Sequence, residues 1–221
     1  MTVLVVAAHP DDELLGCGGT LARHVLQGDE VHALVIAEGA SSRYEDGMAD
    51  SLMSAARDAA KHLGLASVEF GCFPDQRLDT VPILELTQHV EAVVSRLQPT
   101  TLYTHFPGDA NADHGIVARA AWTACRPYAF PSLRRFAVYE TPSSTEWGWP
   151  LGSPAFQPDH FVNITETLEQ KLAAMSCYES ELRPYPHPRS LQALGERAAY
   201  WGSQVGFRAA EAFRVLRELT P

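Results

Sequence analysis

The first hydrophobic run of the chain continues into a polar turn as Val3-Leu4-Val5-Val6-Ala7-Ala8-His9-Pro10-Asp11-Asp12-Glu13. This pattern predicts a buried strand followed by a helix that starts near Pro10, because proline is tolerated in the first helical turn. His9 and Asp12 lie three residues apart, so both side chains can reach one cation, whereas Asp11 points elsewhere. We therefore expect a pair of metal ligands where the first strand ends.

A second polar segment, Asp109-Ala110-Asn111-Ala112-Asp113-His114, also follows a short apolar strand and precedes a helix. His114 can supply a third ligand beside His9 and Asp12. Zinc accepts imidazole nitrogen and carboxylate oxygen, and three protein ligands leave a coordination position open for water. The other interpretation is structural, because Asp11 can cap a helix by accepting backbone N–H bonds.

Hydrophobic periodicity predicts alternating strands and helices. The predicted strands are 3–8, 31–37, 68–71, 101–104, 136–140 and 161–164, and the predicted helices are 12–27, 48–63, 82–97, 113–124, 166–178 and 190–202. Residues 212–216 fit a closing strand or a helix end. The alternation is typical of an α/β fold, a Rossmann-like three-layer sandwich with a mostly parallel central sheet, whose strand-to-helix loops share one edge. Residues 141–158, rich in Pro, Gly, Ser and Trp, are expected to form a rim loop over the site.

Length and charge limit the possible functions. A chain of 221 residues fits one domain spanning residues 1–221. Its 17 Lys and Arg against 27 Asp and Glu give a net charge of −10, which disfavours nucleic acid as a partner. The four cysteines form no C-x-x-C pair, and no apolar run reaches the roughly 20 residues that span a bilayer. We expect a cytoplasmic protein with a small-molecule partner, and the sequence leaves homo-oligomer formation open.

The two polar segments together resemble those of the PIG-L/LmbE-like family of zinc-dependent N-deacetylases. The family signatures are an AHPDDE-type segment after the first strand and a later DxNxDH or HxDH segment. The resemblance covers nearly the whole chain, because residues 38–43, 74–79, 143–147 and 187–190 look like recurring segments of bacterial members. It implies one zinc ion per subunit, and hydrolysis of the N-acetyl group of an amino sugar or GlcNAc-type conjugate by metal-activated water.

Amide hydrolysis also needs a base for the water and an acid for the departing amine. Asp11 is the candidate base, which is the role that the family gives to the first Asp of its motif. Asp113 is a candidate for orienting a ligand imidazole, pairing with an arginine or capping its helix. Some family members carry a catalytic His in place of Asn111. Because Asn cannot release a proton, we expect the acid to be His187 or protonated Asp11.

Further side chains near the same edge are candidates for holding the sugar. Arg43, Arg77 and Arg189 offer planar bidentate donors, and Arg77 resembles a substrate-contacting arginine of the family. Trp147 offers a face on which a sugar ring can pack, and Glu140 adds a polar group at the rim. Each of them can instead be an ordinary exposed or loop-anchoring side chain.

Two other functions stay open at this point. The same zinc site could hydrolyse another acyl amide, such as a thiol-sugar conjugate or an acylated natural product. The chain could also be a non-catalytic, nucleotide-binding Rossmann-like module whose carboxylates hold Mg²⁺. The second is less favoured, because imidazole ligands suit zinc better than magnesium.

Overall fold

A seven-stranded sheet forms the centre of the computed structural model, which describes residues 1–39, 48–149 and 155–220. The strands are β1 Thr2–Ala7, β2 Glu30–Ala37, β3 Ser67–Phe73, β4 Thr101–His105, β5 Arg135–Tyr139, β6 His160–Asn163 and β7 Ala210–Glu218. The helices are α1 Asp12–Leu26, α2 Met48–Leu63, α3 Ile83–Leu97, α4 Ala112–Ala124, α5 Leu168–Met175 and α6 Leu191–Val205. The strand order is β3-β2-β1-β4-β5-β7-β6, in which β1 to β5 are parallel and β7 is antiparallel to β5 and β6.

This strand order places the carboxyl ends of β1 and β4 side by side in the middle of the sheet. The chain runs outward from β1 to β3 on one side and then returns to β4 on the other. In open α/β sheets a crevice forms at such a switch point, outside the carboxyl ends of the strands. The polar segments 8–13 and 109–114 follow β1 and β4, so the fold brings them to one crevice.

Helices cover both faces of the sheet, as strands that are apolar on both sides require. In β1, Val3 and Val5 pack into a core that includes residues of α1, α2, α5 and α6. Leu4 and Val6 point to the opposite face and pack into a core with residues of α3 and α4. The predicted three-layer α/β sandwich is therefore confirmed.

Helix α1 is interrupted at Cys17, whose φ of −145° is not helical. A buried ion pair satisfies backbone groups on both sides of the interruption. The Lys171 ammonium donates to the Leu15 carbonyl at 3.1 Å and lies 2.6 Å from Glu211 Oε1. The Glu211 carboxylate in turn accepts the backbone N–H groups of residues 19–20 at 3.0 and 2.7 Å. Contacts from α5 and β7 thus hold the helix that carries the first polar segment.

The predicted elements agree with the structure apart from their ends, where one or two residues of difference are usual. The largest differences are in the last helices: α5 covers only Leu168–Met175 of the predicted 166–178, and α6 continues to Val205. Residues 212–216, left open between strand and helix, lie within the antiparallel strand β7. In the predicted rim loop, the described residues include a short 3-10 turn at Thr145–Trp147. None of the described helices is long and apolar enough to cross a membrane.

Candidate metal centre

Three side chains converge at the carboxyl ends of β1 and β4. His9, Asp12 and His114 are buried, and one possible ligand atom of each lies within 4.8 Å of the other two. Asp12 Oδ2 lies 3.1 Å from His9 Nδ1 and 3.4 Å from His114 Nε2. The structure thus brings together the three residues that the sequence predicts as metal ligands.

The chemistry of this cluster fits a bound cation. Asp12 Oδ1 is buried and has no hydrogen-bond partner among the described residues, which is costly unless an ion or water meets it. Burial acts to raise the pKa of Asp12, but His114 and His105 outweigh burial and hold this pKa well below its usual range. Burial acts to lower the pKa of His9, but Asp113 and Asp12 raise it to about 10. A divalent cation can replace the proton that the His9 imidazole otherwise keeps.

A carboxylate holds the other nitrogen of each candidate ligand imidazole. Asp113 Oδ2 lies 3.1 Å from His9 Nε2, and Asp109 Oδ2 lies 2.7 Å from His114 Nδ1. Such carboxylates fix the tautomer and orientation of ligating histidines. Asp113 therefore contacts the imidazole of the first polar segment, not that of its neighbour His114. No role was predicted for Asp109, although it is the first residue of the polar segment 109–114.

His105, at the end of β4, packs behind these residues. Its ring stacks on that of His114 with 4.0 Å between the ring centroids. Its Nε2 accepts the backbone N–H of Ala8 at 2.8 Å, so the proton is on Nδ1, which lies 3.0 Å from the Thr141 hydroxyl. His105 also lies close to Asp109 and His114. Both of its ring nitrogens already have partners, which disfavours His105 as a ligand.

Asp11 lies beside the cluster in a strained backbone conformation. It precedes the first turn of α1 with a φ of 104°, which residues other than glycine rarely adopt. In the part of the chain that the structure describes, its side chain makes no capping hydrogen bond, so the interpretation of Asp11 as a helix cap is wrong. The carboxylate instead accepts a hydrogen bond from Arg189 at 3.1 Å. Burial raises the pKa of Asp11 well above its usual range, although Arg189 opposes this shift.

A small cleft opens beside the cluster. His9, Asp11, Asn111 and Arg189 line it, together with Asp75 and Gln76, for which no metal, catalytic or substrate role was predicted. Gln76 Nε2 and Asp75 Oδ1 lie 3.3 and 3.4 Å from His9 Nε2. Both belong to segment 74–79, which is one of the segments that carry the family resemblance, so that resemblance could have indicated them as site residues.

Two of the cleft residues have structural partners. The Asn111 side chain accepts the N–H of Asp113 at 3.0 Å and thereby caps α4. The Arg189 guanidinium contacts the Glu181 carboxylate at 2.8 Å and the Ser143 hydroxyl at 2.7 Å, in addition to Asp11. Arg189 therefore connects the predicted base to the rim loop.

The structure places other predicted site residues outside the described lining of this cleft. Glu140 is buried and accepts hydrogen bonds from the Arg197 guanidinium and the Trp201 indole N–H. Arg77 and Trp147 are exposed. Arg43 lies outside the described residues.

His187 is half-buried and contacts the rim loop. Its ring meets that of Trp147 edge-on with 6.0 Å between the centroids. Its Nδ1 accepts the backbone N–H of Arg189 at 3.1 Å. Burial, Arg189 and Arg183 lower the pKa of His187, so its neutral form is favoured.

Known proteins resemble this chain along most of its length. YaiS of Escherichia coli, an uncharacterized deacetylase, is 30% identical over 184 residues, which are 80% of this chain and 90% of YaiS. The 4-oxalmesaconate hydratase of Pseudomonas putida is 29% identical over 202 residues, which are 80% of this chain and 72% of the hydratase. The crystal structure of the conserved protein TT1542 from Thermus thermophilus has a TM-score of 0.79 and 28% identity, and the match covers 99% of this chain and 96% of that one. Residues 4–125 match the PIG-L family, described as GlcNAc-PI de-N-acetylase, and because this match spans more than half of the sequence, the chain belongs to that family.

Proposed function

We propose that this protein is a zinc-dependent N-deacetylase that removes the acetyl group from an amino sugar or a GlcNAc-type conjugate. The main support is the convergence of His9, Asp12 and His114 beside the buried carboxylate of Asp11. Membership in a de-N-acetylase family and similarity to a deacetylase support hydrolysis of an amide C–N bond. The mixed imidazole and carboxylate donors favour zinc, with another divalent transition metal as the alternative.

The residues around the cluster have different roles in the proposed hydrolysis. Bound zinc would lower the pKa of a water molecule to about 7 and polarise the acyl oxygen. Asp11 accepts the proton of the attacking water on its carboxylate, and burial raises the pKa of this carboxylate, which makes it a stronger base than an exposed aspartate. Arg189 orients this carboxylate through the 3.1 Å contact to Oδ2. Asp113 and Asp109 keep the two imidazoles in place.

The departing amine needs one proton, and two residues are candidates to supply it. Protonated Asp11 lies at the cluster and has just received a proton. His187 has a lowered pKa and uses Nδ1 as an acceptor, which makes it a weaker source of a proton at neutral pH. These observations favour Asp11 in both roles. We expect His187→Ala to keep most of kcat, and loss of most of kcat would assign the proton to His187.

The charge of the cleft separates this function from a second candidate, hydration of a carboxylate substrate, which the hydratase relative suggests. The described lining of the cleft carries the carboxylates of Asp11, Asp75 and Glu181, together with the Arg189 guanidinium and the His9 imidazole. The three carboxylates repel a substrate carboxylate but not a neutral acetamido group. We also propose that residues 141–149 and 155–158 form a rim over the site, and residues 150–154 of the predicted rim loop lie outside the described residues.

Contacts to the rest of the sugar are also proposed. Arg43, Arg77 and Trp147 are proposed to contact it beyond the cleft. Glu140 is a weaker candidate, because Arg197 already occupies its carboxylate.

Release of acetate from a panel of N-acetylated sugars and sugar conjugates tests the proposal directly. Purified zinc-loaded protein is expected to release acetate from at least one of them. Asp11→Asn should lower kcat by about 10²- to 10⁴-fold while zinc content stays unchanged. The exposed Asp50→Asn serves as the control and should retain full activity. Hydrolysis only of other acyl amides, hydration without hydrolysis, or an Asp11→Asn variant as active as the wild type would contradict the proposal.

A further inference from the structure

A cavity of about 830 Å³ has Thr145, Glu146, Gly148 and Trp149 of the rim loop in its lining. Five aromatic side chains line it: Phe106, Trp149, Phe156, Tyr200 and Trp201. Four of these form a connected wall, with ring centroids 5.3 Å apart for Phe106 and Phe156, 6.4 Å for Phe156 and Trp201, and 4.9 Å for Tyr200 and Trp201. The volume lies within the range of roughly 300–1,000 Å³ that is usual for sites of small ligands.

The charges in the cavity lining are mainly negative. Among the described residues of the lining, the carboxylates of Glu140, Glu146 and Glu196 outnumber the one arginine, Arg197. The Arg197 guanidinium is already paired with Glu140, to which its Nε donates at 2.8 Å. Glu146 and Glu196 have no ion-pair partner within residues 1–39, 48–149 and 155–220. The lining therefore favours a cationic ligand and disfavours an anionic one.

Aromatic faces next to carboxylates also suit a ligand that has both an apolar face and a positive charge. The apolar C–H face of a pyranose packs on indole and phenol rings, and a protonated amine is attracted both to aromatic faces and to carboxylates. We propose that this cavity is a second binding site, selective for a pyranose that carries a protonated amine. The inference deepens the proposed function, because such a sugar belongs to the product class of N-deacetylation.

The cavity is distinct from the cleft beside the candidate metal centre, and a hydrogen bond connects a residue of its lining to that centre. None of the described residues that line the cavity also lines the cleft. Thr145 lies in the cavity lining and donates its hydroxyl to Asp109 at 2.5 Å, and Asp109 holds His114. Residues 150–154 lie outside the described residues and are not part of the proposed site.

Titration with glucosamine, followed by tryptophan fluorescence of the full-length protein, tests this site. Trp149 and Trp201 lie in the lining, so binding is expected to change the emission. Glucosamine should bind at least about threefold more tightly than N-acetylglucosamine, because the latter lacks the charge. Glucosamine 6-phosphate should bind more weakly than glucosamine. Equal affinity for all three sugars would overturn the proposal.

Two variants with matched controls assign the binding to this cavity. Tyr200→Ala removes a ring that is 59% exposed and should weaken glucosamine binding by about fivefold, whereas the fully exposed Tyr128→Ala should not change it. Glu196→Gln should weaken binding by about threefold, and the exposed Glu179→Gln should leave it unchanged. Equal thermal stability of all four variants excludes unfolding as the cause.

The remaining outcomes separate this inference from the proposed function. Glucosamine binding that depends on Tyr200 and Glu196, without any acetate release, would support the cavity and contradict the deacetylase. Acetate release with glucosamine binding insensitive to both variants would contradict the cavity alone. If a second copy of the chain covers the cavity, Tyr200→Ala will shift a dimer towards monomer in sedimentation and leave sugar binding unchanged, which would overturn the proposal.

Discussion

The two junctions that supply the metal ligands start their helices in opposite ways. Helix α4 begins after Asn111, which has an extended backbone and whose side chain accepts the N–H of Asp113. Helix α1 begins after Asp11, which has a φ of 104° and, as far as the described chain shows, no capping side-chain hydrogen bond. The α4 junction has an ordinary capped helix start and supplies one ligand, His114. The other keeps a strained residue whose carboxylate is not used by its own helix, as is common where strain serves chemistry.

The strained junction is supported by contacts from distant parts of the chain. The Glu13 carboxylate accepts the N–H of Asp11 at 3.2 Å and the Tyr178 hydroxyl at 2.7 Å. One turn further along α1, Lys171 and Glu211 hold the interruption at Cys17. We infer that the strain at Asp11 persists because helix α5 and strand β7 fix the helix behind it.

Removing this support is expected to have the largest effect on stability. Lys171→Met leaves the buried Glu211 carboxylate without its cation and should lower the free energy of unfolding by about 3–5 kcal/mol. The other lysine of the chain provides a matched control, since Lys61 pairs with Asp58 on the surface with 77% of its side chain exposed. Lys61→Met should change stability by less than about 1 kcal/mol in urea unfolding. Equal losses in both variants would refute the supporting role of the buried pair.

Zinc affinity should depend strongly on pH, because a proton competes with the metal for His9. The pKa of His9 is raised to about 10 in the metal-free chain, so the imidazole must lose a proton on binding zinc at lower pH. The apparent affinity should therefore rise at least about tenfold per pH unit from about pH 6 to about pH 8. Competition with a chelator at several pH values measures this slope. An affinity independent of pH would show that His9 is not a ligand.

Substitution of the carboxylates that contact the two imidazoles tests whether both junctions contribute equally to zinc affinity. Asp113→Asn acts on His9 and Asp109→Asn acts on His114, and each should lower zinc affinity by about 10- to 100-fold. Asp79→Asn, on the surface, is the control. A loss confined to one of the two variants would show that the metal depends on one junction.

The smallest expected effects concern the helix starts themselves. Asp11→Gly should be more stable than Asp11→Ala by about 1 kcal/mol, because only glycine adopts a positive φ without strain. At the other junction, Asn111→Ala should lower stability by about 1 kcal/mol through loss of the cap. Thermal unfolding of the three variants measures both differences. If Asp11→Ala were as stable as Asp11→Gly, strain would not distinguish the two junctions.

Local sequence patterns predicted most of the fold and the convergence of the ligands. The strands and helices follow from periodicity, and His9, Asp12 and His114 lie in short segments that the parallel sheet brings to one edge. Helix bounds and the strand at 212–216 depend on tertiary packing, which a local pattern does not contain.

Contacts between distant residues could not be predicted in this way. Lys171 and Glu211 lie 40 residues apart, and Arg197 and Glu140 lie 57 apart, so nothing in the spacing of either pair indicates that they meet. The positive φ of Asp11 was also missed, because Asp before a helix is far more often a cap. The alternative role of Asp11 as a helix cap is therefore excluded, and its predicted role as the base remains a proposal.

Anomalous diffraction at the zinc absorption edge from crystals of the zinc-loaded protein tests the central claim most directly. We expect one zinc ion per chain, in contact with His9 Nδ1, the Asp12 carboxylate and His114 Nε2. His9, Asp75 and Asp113 also lie close enough together to hold a metal. A zinc ion bound there through His9 Nε2, or no bound zinc at all, would contradict the account.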